Sequence, residues 1–134
     1  MTETGHLLET LRANLAKDYE IEGFVGSGSI TLVFKGVERG PQRPVALKVV
    51  PPDAPAGFGE RVRREVRVAV NLAHANLVPI YTQGQTAGTV FYTMKYVDGC
   101  SLDWVMAQQG ALPIPLVLTV LRTIVGGLTY AHDR

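Results

Sequence analysis

Leu7, Leu8, Leu11 and Leu15 recur at helical spacing near the start of the chain, which predicts a short leader helix within residues 1–18. From Tyr19 the period changes. Tyr19, Ile21, Phe24 and Val25 lead into Gly26-Ser27-Gly28, and Leu32-Val33-Phe34-Lys35 follows as a second extended run. The pair predicts a hairpin with a glycine-rich tip. Gly40-Pro41 marks a turn, and Pro44, which lacks an N–H for the ladder, is allowed only as the first residue of the next strand. Val45 to Val50 is that strand, and it stops at Pro51-Pro52. Residues 51–59 hold three prolines and two glycines and predict a loop. Glu60 to Ala73 has no breaker, and Val62, Val66, Ala69 and Ala73 repeat at spacings of 4, 3 and 4, which predicts a helix. Leu77 to Tyr81 and Thr89 to Lys95 read as two strands about a Gly84–Gly88 turn. Ser101 can cap a short helix from Leu102 to Gln108, and Pro115 can start a longer one to about His132. The sum is an α+β unit: a five-stranded antiparallel sheet with one inserted helix, then a connecting segment and two helices. The last helix has no partner in that unit, and a lone helix cannot bury its apolar face.

Bulk properties narrow the function classes. A length of 134 residues with 46% hydrophobic content suits about one small domain with a core. Thirteen basic residues against twelve acidic ones give a net charge of +1, with no whole-chain attraction to nucleic acid or anionic membrane. Cys100 is the sole cysteine, so no disulfide framework forms within the chain. The start lacks the apolar core of a signal peptide. The apolar stretch Leu116–Tyr130 is interrupted by Thr119, Arg122, Thr123, Gly126, Gly127 and Thr129, which argues against a membrane span. The expectation is a soluble, cytoplasmic protein with no nucleic-acid partner and no membrane segment.

Two features carry candidate chemistry. In Gly26-Ser27-Gly28-Ser29-Ile30-Thr31-Leu32-Val33, the glycines precede a strand, not a helix, which excludes a dinucleotide fold. No Gly-Lys-Ser/Thr follows, which excludes the phosphate loop of nucleotide hydrolases. What remains is a hairpin tip whose backbone N–H groups can approach anionic oxygens, or an ordinary tight turn. On the strand Val45-Ala46-Leu47-Lys48, alternation puts Val45, Leu47 and Val49 on one face and Ala46 with Lys48 on the other. An ammonium beside a small apolar residue suits a phosphate below a purine, and Glu65 in Arg63-Arg64-Glu65-Val66-Arg67 can serve as its anionic partner. Alternatively, Lys48 is a solvated lysine and Glu65 one of many helix-surface charges.

Taken together, these runs resemble a family. G-x-G-x-x-Thr31-x-Val33, Val45-Ala46-Leu47-Lys48 and Arg64-Glu65 resemble the first three signatures of protein kinases. Leu72-Ala73-His74-Ala75-Asn76-Leu77-Val78-Pro79-Ile80-Tyr81 is similar to the family's link into its fourth strand. Phe91 to Gly99 is similar to its hinge, and Leu128-Thr129-Tyr130-Ala131-His132 to the end of the helix before its catalytic loop. The wording resembles bacterial serine/threonine kinases of the eukaryotic-like type. The resemblance implies an ATP-binding small lobe with hinge over residues 19–97 and the start of a helical large lobe over 98–134. It implies that Val25, Val33 and Ala46 roof the adenine, that Gly26, Ser27, Gly28, Ser29, Ile30 and Thr31 cover the phosphates, and that Met94 is the gatekeeper. The backbone of Lys95 and Val97, on either side of Tyr96, would meet the adenine edge, with Ser101 near the ribose. Lys48 would hold the α- and β-phosphates and pair with Glu65. Ala69 and Ile80 would join the hydrophobic stack between the lobes, and His74 and His132 would be structural.

Thr31 stands where the family has a third glycine, Lys95 where the hinge has a glutamate, and Ala75 where the link has a proline. The sequence ends at Arg134, ahead of the family's H-R-D-x-x-x-x-N and D-F-G segments. None of its aspartates, at 18, 53, 98, 103 and 133, has the context of the catalytic base or of a Mg²⁺ ligand. The expectation is therefore the ATP-binding part of a serine/threonine kinase using Mg²⁺-ATP and a protein substrate, with no metal site in this chain and no transfer by the chain alone. A non-catalytic interaction module or the remnant of a truncated gene are the alternatives. The apolar last helix is expected to drive self-association.

Overall fold

The computed structural model describes residues 2–28 and 30–134; Met1 and Ser29, the latter a candidate phosphate-loop residue, lie outside the described residues. The elements run α1 (Glu3–Leu15), β1 (Tyr19–Ser27), β2 (Leu32–Glu38), β3 (Arg43–Val49), α2 (Phe58–Ala69), β4 (Ile80–Thr86), β5 (Thr89–Lys95), α3 (Leu102–Gln109) and α4 (Ile114–His132). The strands form one antiparallel sheet in the order β1-β2-β3-β5-β4. The chain divides into two compact units, Met1–Asn71 with Pro79–Tyr96, and Leu72–Val78 with Val97–Arg134.

In the first unit, cross-strand register decides which side chains share a face. Phe34 lies opposite Leu47, and Leu47 opposite Thr93; Leu32 lies opposite Val49, and Val49 opposite Phe91. These residues and Val45 make one face, buried except at the half-buried Leu32, and α1 lies on it through Leu11 and Leu15, with Leu7 and Leu8 at its margin. Thr2 caps α1, its Oγ1 accepting from Gly5 N at 3.0 Å. Arg12 then fastens the helix to β1, its Nε donating to the Ile21 carbonyl at 2.9 Å and its Nη2 to that of Glu22 at 2.6 Å. On the opposite face, Val62 and Val66 of α2 pack with Val50 and Val90, flanked by Phe58, Ile80 and Tyr92.

Four element limits differ from the sequence expectation, each for a local reason. Pro44 is the second residue of β3, opposite Val37, instead of its first. The fourth strand starts at Ile80 instead of Leu77, because Pro79 has no N–H to give; its carbonyl accepts from Lys95 N at 3.0 Å. It continues to Thr86 through polar residues because it is an edge strand with one side open to water. Gly84 therefore sits inside β4, where a Cβ would come 2.8 Å from the Phe91 ring, and the turn is Ala87-Gly88, both at positive φ. Helix α2 spans Phe58–Ala69, short of Ala73. The Ala73 N–H is instead donated to the Tyr130 hydroxyl at 3.0 Å, a tertiary bond that competes with continuing the helix.

The second unit is built on α4. Besides the Ala73 bond, Asn76 Nδ2 donates to the Thr123 carbonyl at 3.0 Å, and the His74 ring lies 5.1 Å from that of Tyr130. His74 Nδ1 accepts from Asn76 N at 3.0 Å, so this histidine shapes the turn. Ser101 caps α3 as expected, accepting from Trp104 N at 3.1 Å. Of α4, only Gly127 is buried, and Leu116, Leu118, Leu121, Ile124, Val125 and Leu128 are exposed. By length and composition α4 is apolar enough to cross a membrane, with a mean hydropathy of 1.6. Its threonines and glycines are nearly neutral in hydropathy and Arg122 is its sole full charge, so the interruptions that argued against a span do not offset the aliphatic residues.

Candidate functional site

The glycine-rich tip is a closed hairpin. Gly26 lies opposite Val33 and Ser27 opposite Leu32, and Gly28 N–H donates to the Thr31 carbonyl at 2.7 Å. The two glycines are there for different reasons. A Cβ on Gly28 would fall 2.8 Å from Thr31 Oγ1, so a side chain there requires the Thr31 hydroxyl to move. A Cβ on Gly26 would meet nothing within 4 Å. Among the described residues nothing demands a bare backbone at Gly26, which leaves its surface open to close approach from outside. Register shifts at Glu22 and Val25 bend β1 on its way to the tip, and Val25 and Ile30 are exposed.

Below the hairpin, register assembles the expected constellation on one face of the sheet. Val33 is opposite Lys48, Lys48 opposite Tyr92, and Ala46 opposite Met94. All five are half-buried, whereas Val45, Leu47 and Val49 on the other face of the same strand are sealed. Sequence reasoning missed one member, Lys35. It lies opposite Ala46, with its Nζ 4.6 Å above the Tyr96 ring and 3.6 Å from Glu22 Oε2. That cation joins β1, β2 and the hinge residue Tyr96; strand alternation could have placed it beside Val33.

The expected Lys48–Glu65 ion pair is not formed. Among the described residues Lys48 has no carboxylate within salt-bridge distance, and Glu65 instead accepts from Arg61 Nε at 3.1 Å. Arg61 is one helical turn away on the same helix, so α2 itself offers Glu65 the nearer cation. Both side chains are mostly exposed, and such pairs contribute about 0–1 kcal/mol. Glu65 is nonetheless near the Lys48 face: the Tyr92 hydroxyl has its pKa raised by burial first and by the Glu65 carboxylate second.

The hinge residues fall in different units. Lys95 spends its N–H on Pro79, which leaves its carbonyl as the group it could offer a ligand. Val97 and Ser101 belong to the second unit, where Val97 is exposed and the Ser101 oxygen is engaged as a helix cap. Among the described residues no group of three or more His, Cys, Asp or Glu could hold a metal.

The protein kinase domain family matches residues 19–134, which include both units' share of this arrangement. The chain belongs to the protein kinase family. Serine/threonine-protein kinase PknL of Mycobacterium bovis is 35% identical over 136 residues, covering 98% of this kinase chain and 34% of PknL. Serine/threonine-protein kinase PknD of Mycobacterium tuberculosis is 31% identical over 116 residues, covering 85% of the chain and 18% of PknD. The crystal structure of the M. tuberculosis PknI kinase domain superposes with a TM-score of 0.77 at 30% identity, covering 87% of the chain and 49% of that domain. The kinase chain thus spans about a third of the PknL length and about half of the solved PknI domain. Its five-stranded sheet with α2 is the small lobe of the kinase fold. Helix α4 lies inside the matched residues, so its apolar surface belongs to a kinase domain helix.

Proposed function

We propose that this chain is the ATP-binding portion of a protein serine/threonine kinase that uses Mg²⁺-ATP, residing in the cytoplasm. The observation that carries the reading is the half-buried face of Val33, Ala46, Lys48 and Met94 lying beside a hairpin whose Gly26 leaves backbone open to approach. Val25, Val33 and Ala46 supply an apolar surface for adenine. The tip from Gly26 to Thr31 covers the phosphates, with the Gly28 N–H already given to the Thr31 carbonyl, and Lys48 supplies the compensating charge. Glu65 leaves Arg61 for Lys48 when the nucleotide is present, a change that costs little because the Arg61 pair is exposed. Met94, Tyr96, Val97 and Ser101 take their hinge roles by resemblance. No residue of this chain is assigned to the Mg²⁺.

The motifs that supply the base and the metal ligands are not in this sequence, and positioning with electrostatic stabilisation is nearly all of phosphoryl transfer. The chain alone is therefore expected to transfer no phosphate from radiolabelled ATP to a generic Ser/Thr substrate. A chimaera joining it to the second lobe of PknI is expected to transfer it. Lys48-dependent transfer by the chain alone would contradict the division of labour proposed here.

The exposed face of α4 suggests that the separate chain self-associates, since leaving four or five large apolar side chains in water forfeits about 1.5–3 kcal/mol each. Size-exclusion chromatography should show concentration-dependent oligomers. A concentration-independent monomer with a cooperative melt would rule this out.

A further inference from the structure

Two lysines, on β2 and β3, lie on the half-buried face of the sheet, and they are held differently. On β2, Phe34 and Gly36 turn to the buried face, so alternation puts Lys35 with Val33 on the other. Cross-strand pairing then makes two rows. Val33, Lys48 and Tyr92 lie in the row nearer the glycine-rich tip, and Lys35, Ala46 and Met94 in the row nearer the hinge. Among the described residues Lys48 has no carboxylate within salt-bridge distance. Lys35 is held twice: its Nζ is 3.6 Å from Glu22 Oε2 and 4.6 Å from the centre of the Tyr96 ring. The register shift between Ile21 and Gly23 leaves Glu22 outside the β1–β2 pairing, and a bulge of this kind re-aims a side chain. Arg12 Nη2 fixes the bulge by donating to the Glu22 carbonyl at 2.6 Å.

Tyr96 sits where the sheet stops guiding the chain. The β3–β5 pairing ends at Val45 opposite Lys95, and Tyr96 is the last residue of the first unit. Beyond the Lys95 N–H, given to Pro79, the ring under Lys35 is what ties the chain back to β1 and β2. Lys35 and Tyr96 are both half-buried, which strengthens a contact between a cation and an aromatic ring.

We propose that Lys35 is a positioning residue for the nucleotide base. By holding the Tyr96 ring it fixes the chain as it leaves β5, and with it the Lys95 carbonyl, the group left over for the adenine edge. The inference rests on the adenine reading of this face. The charge of Lys35 is spent on Glu22 and the ring, so its effect is on the base and not on the phosphates.

The test uses the chimaera with the second lobe of PknI and two probes, ATP and adenosine, followed by ligand-observed NMR. Lys35→Met should weaken both by the same factor, about twofold to fivefold, at an unchanged melting temperature. Lys35→Arg keeps a cation that stacks on the ring and should recover most of the loss. In a Tyr96→Leu background, Lys35→Met should cost nothing further. Attraction between the lysine and the phosphates would instead weaken ATP and spare adenosine. The proposal is overturned if Lys35→Met leaves adenosine affinity unchanged, or if its full effect persists with Tyr96→Leu. If neither probe binds the unaltered chimaera at about 10 mM, the adenine reading itself is wrong, and this inference goes with it.

Discussion

Lys48→Met, in the chimaera completed by the second lobe of PknI, is expected to lower turnover by about a hundredfold or more while changing nucleotide affinity by less than about tenfold. Lys48 lies between Val33 and Tyr92 in the sheet register, half-buried on a strand whose other face is sealed, so the base of its side chain is fixed by the sheet. Such a charge contributes most where negative charge shifts during transfer, and much less to ground-state binding, which the apolar surface also supports. The substitution keeps an unbranched side chain only one atom shorter and leaves Val45, Leu47 and Val49 packed as before, so the fold should survive it. Glu65→Gln should also reduce turnover, and less severely, because Glu65 must first leave Arg61. Steady-state kinetics with a Ser/Thr peptide and a parallel nucleotide titration separate the two quantities. Near-normal turnover of Lys48→Met would remove the lysine from the chemistry.

Leu11→Ala should destabilise the chain by about 2–5 kcal/mol, measured by urea unfolding of the same chimaera. Leu11 is 1% exposed and packs in the cluster that contains Phe34, Leu47 and Val49. A cavity there cannot collapse easily, because Arg12 holds the helix to the Ile21 and Glu22 carbonyls and Arg39 Nε donates to the Ala16 carbonyl at 2.7 Å. Small domains have about 5–15 kcal/mol in total, so the loss is a large share of it. A change within about 0.5 kcal/mol would mean that α1 is a dispensable leader and that the sheet keeps its face covered by other means.

The repeating leucines announced α1, but nothing in their spacing said which surface they would cover. That depended on the register of β2, β3 and β5, which brings Phe34, Leu47 and Thr93 into one row. The β2–β3 part of the fold was legible because one strand buries Val45, Leu47 and Val49 in strict alternation. The β4 limits were hidden because an edge strand tolerates polar residues, so Thr82 to Thr86 carried no hydrophobic signal. At the site, Ala46, Lys48, Val33 and Met94 were legible as motif residues, and the sheet brings them to one face. The pairing of Glu65 was not legible. Its sequence neighbourhood offered Arg61 as readily as Lys48, and a surface ion pair is too weak to be fixed by composition. The tertiary bond from Ala73 to Tyr130, which accompanies the end of α2, spans 57 residues and left no local trace.

The most direct measurement is Mg²⁺-ATP affinity of the chimaera with Gly26→Val, alongside its melting temperature. A Cβ at Gly26 meets nothing within 4 Å among the described residues, and a β-branched residue suits a strand, so the fold is expected to survive the change, which the melting temperature checks. If the phosphates lie against this backbone, the valine occupies their approach and affinity falls by about tenfold or more at an unchanged melting temperature. Unchanged affinity and turnover in a fully folded Gly26→Val protein would contradict nucleotide binding beneath the hairpin.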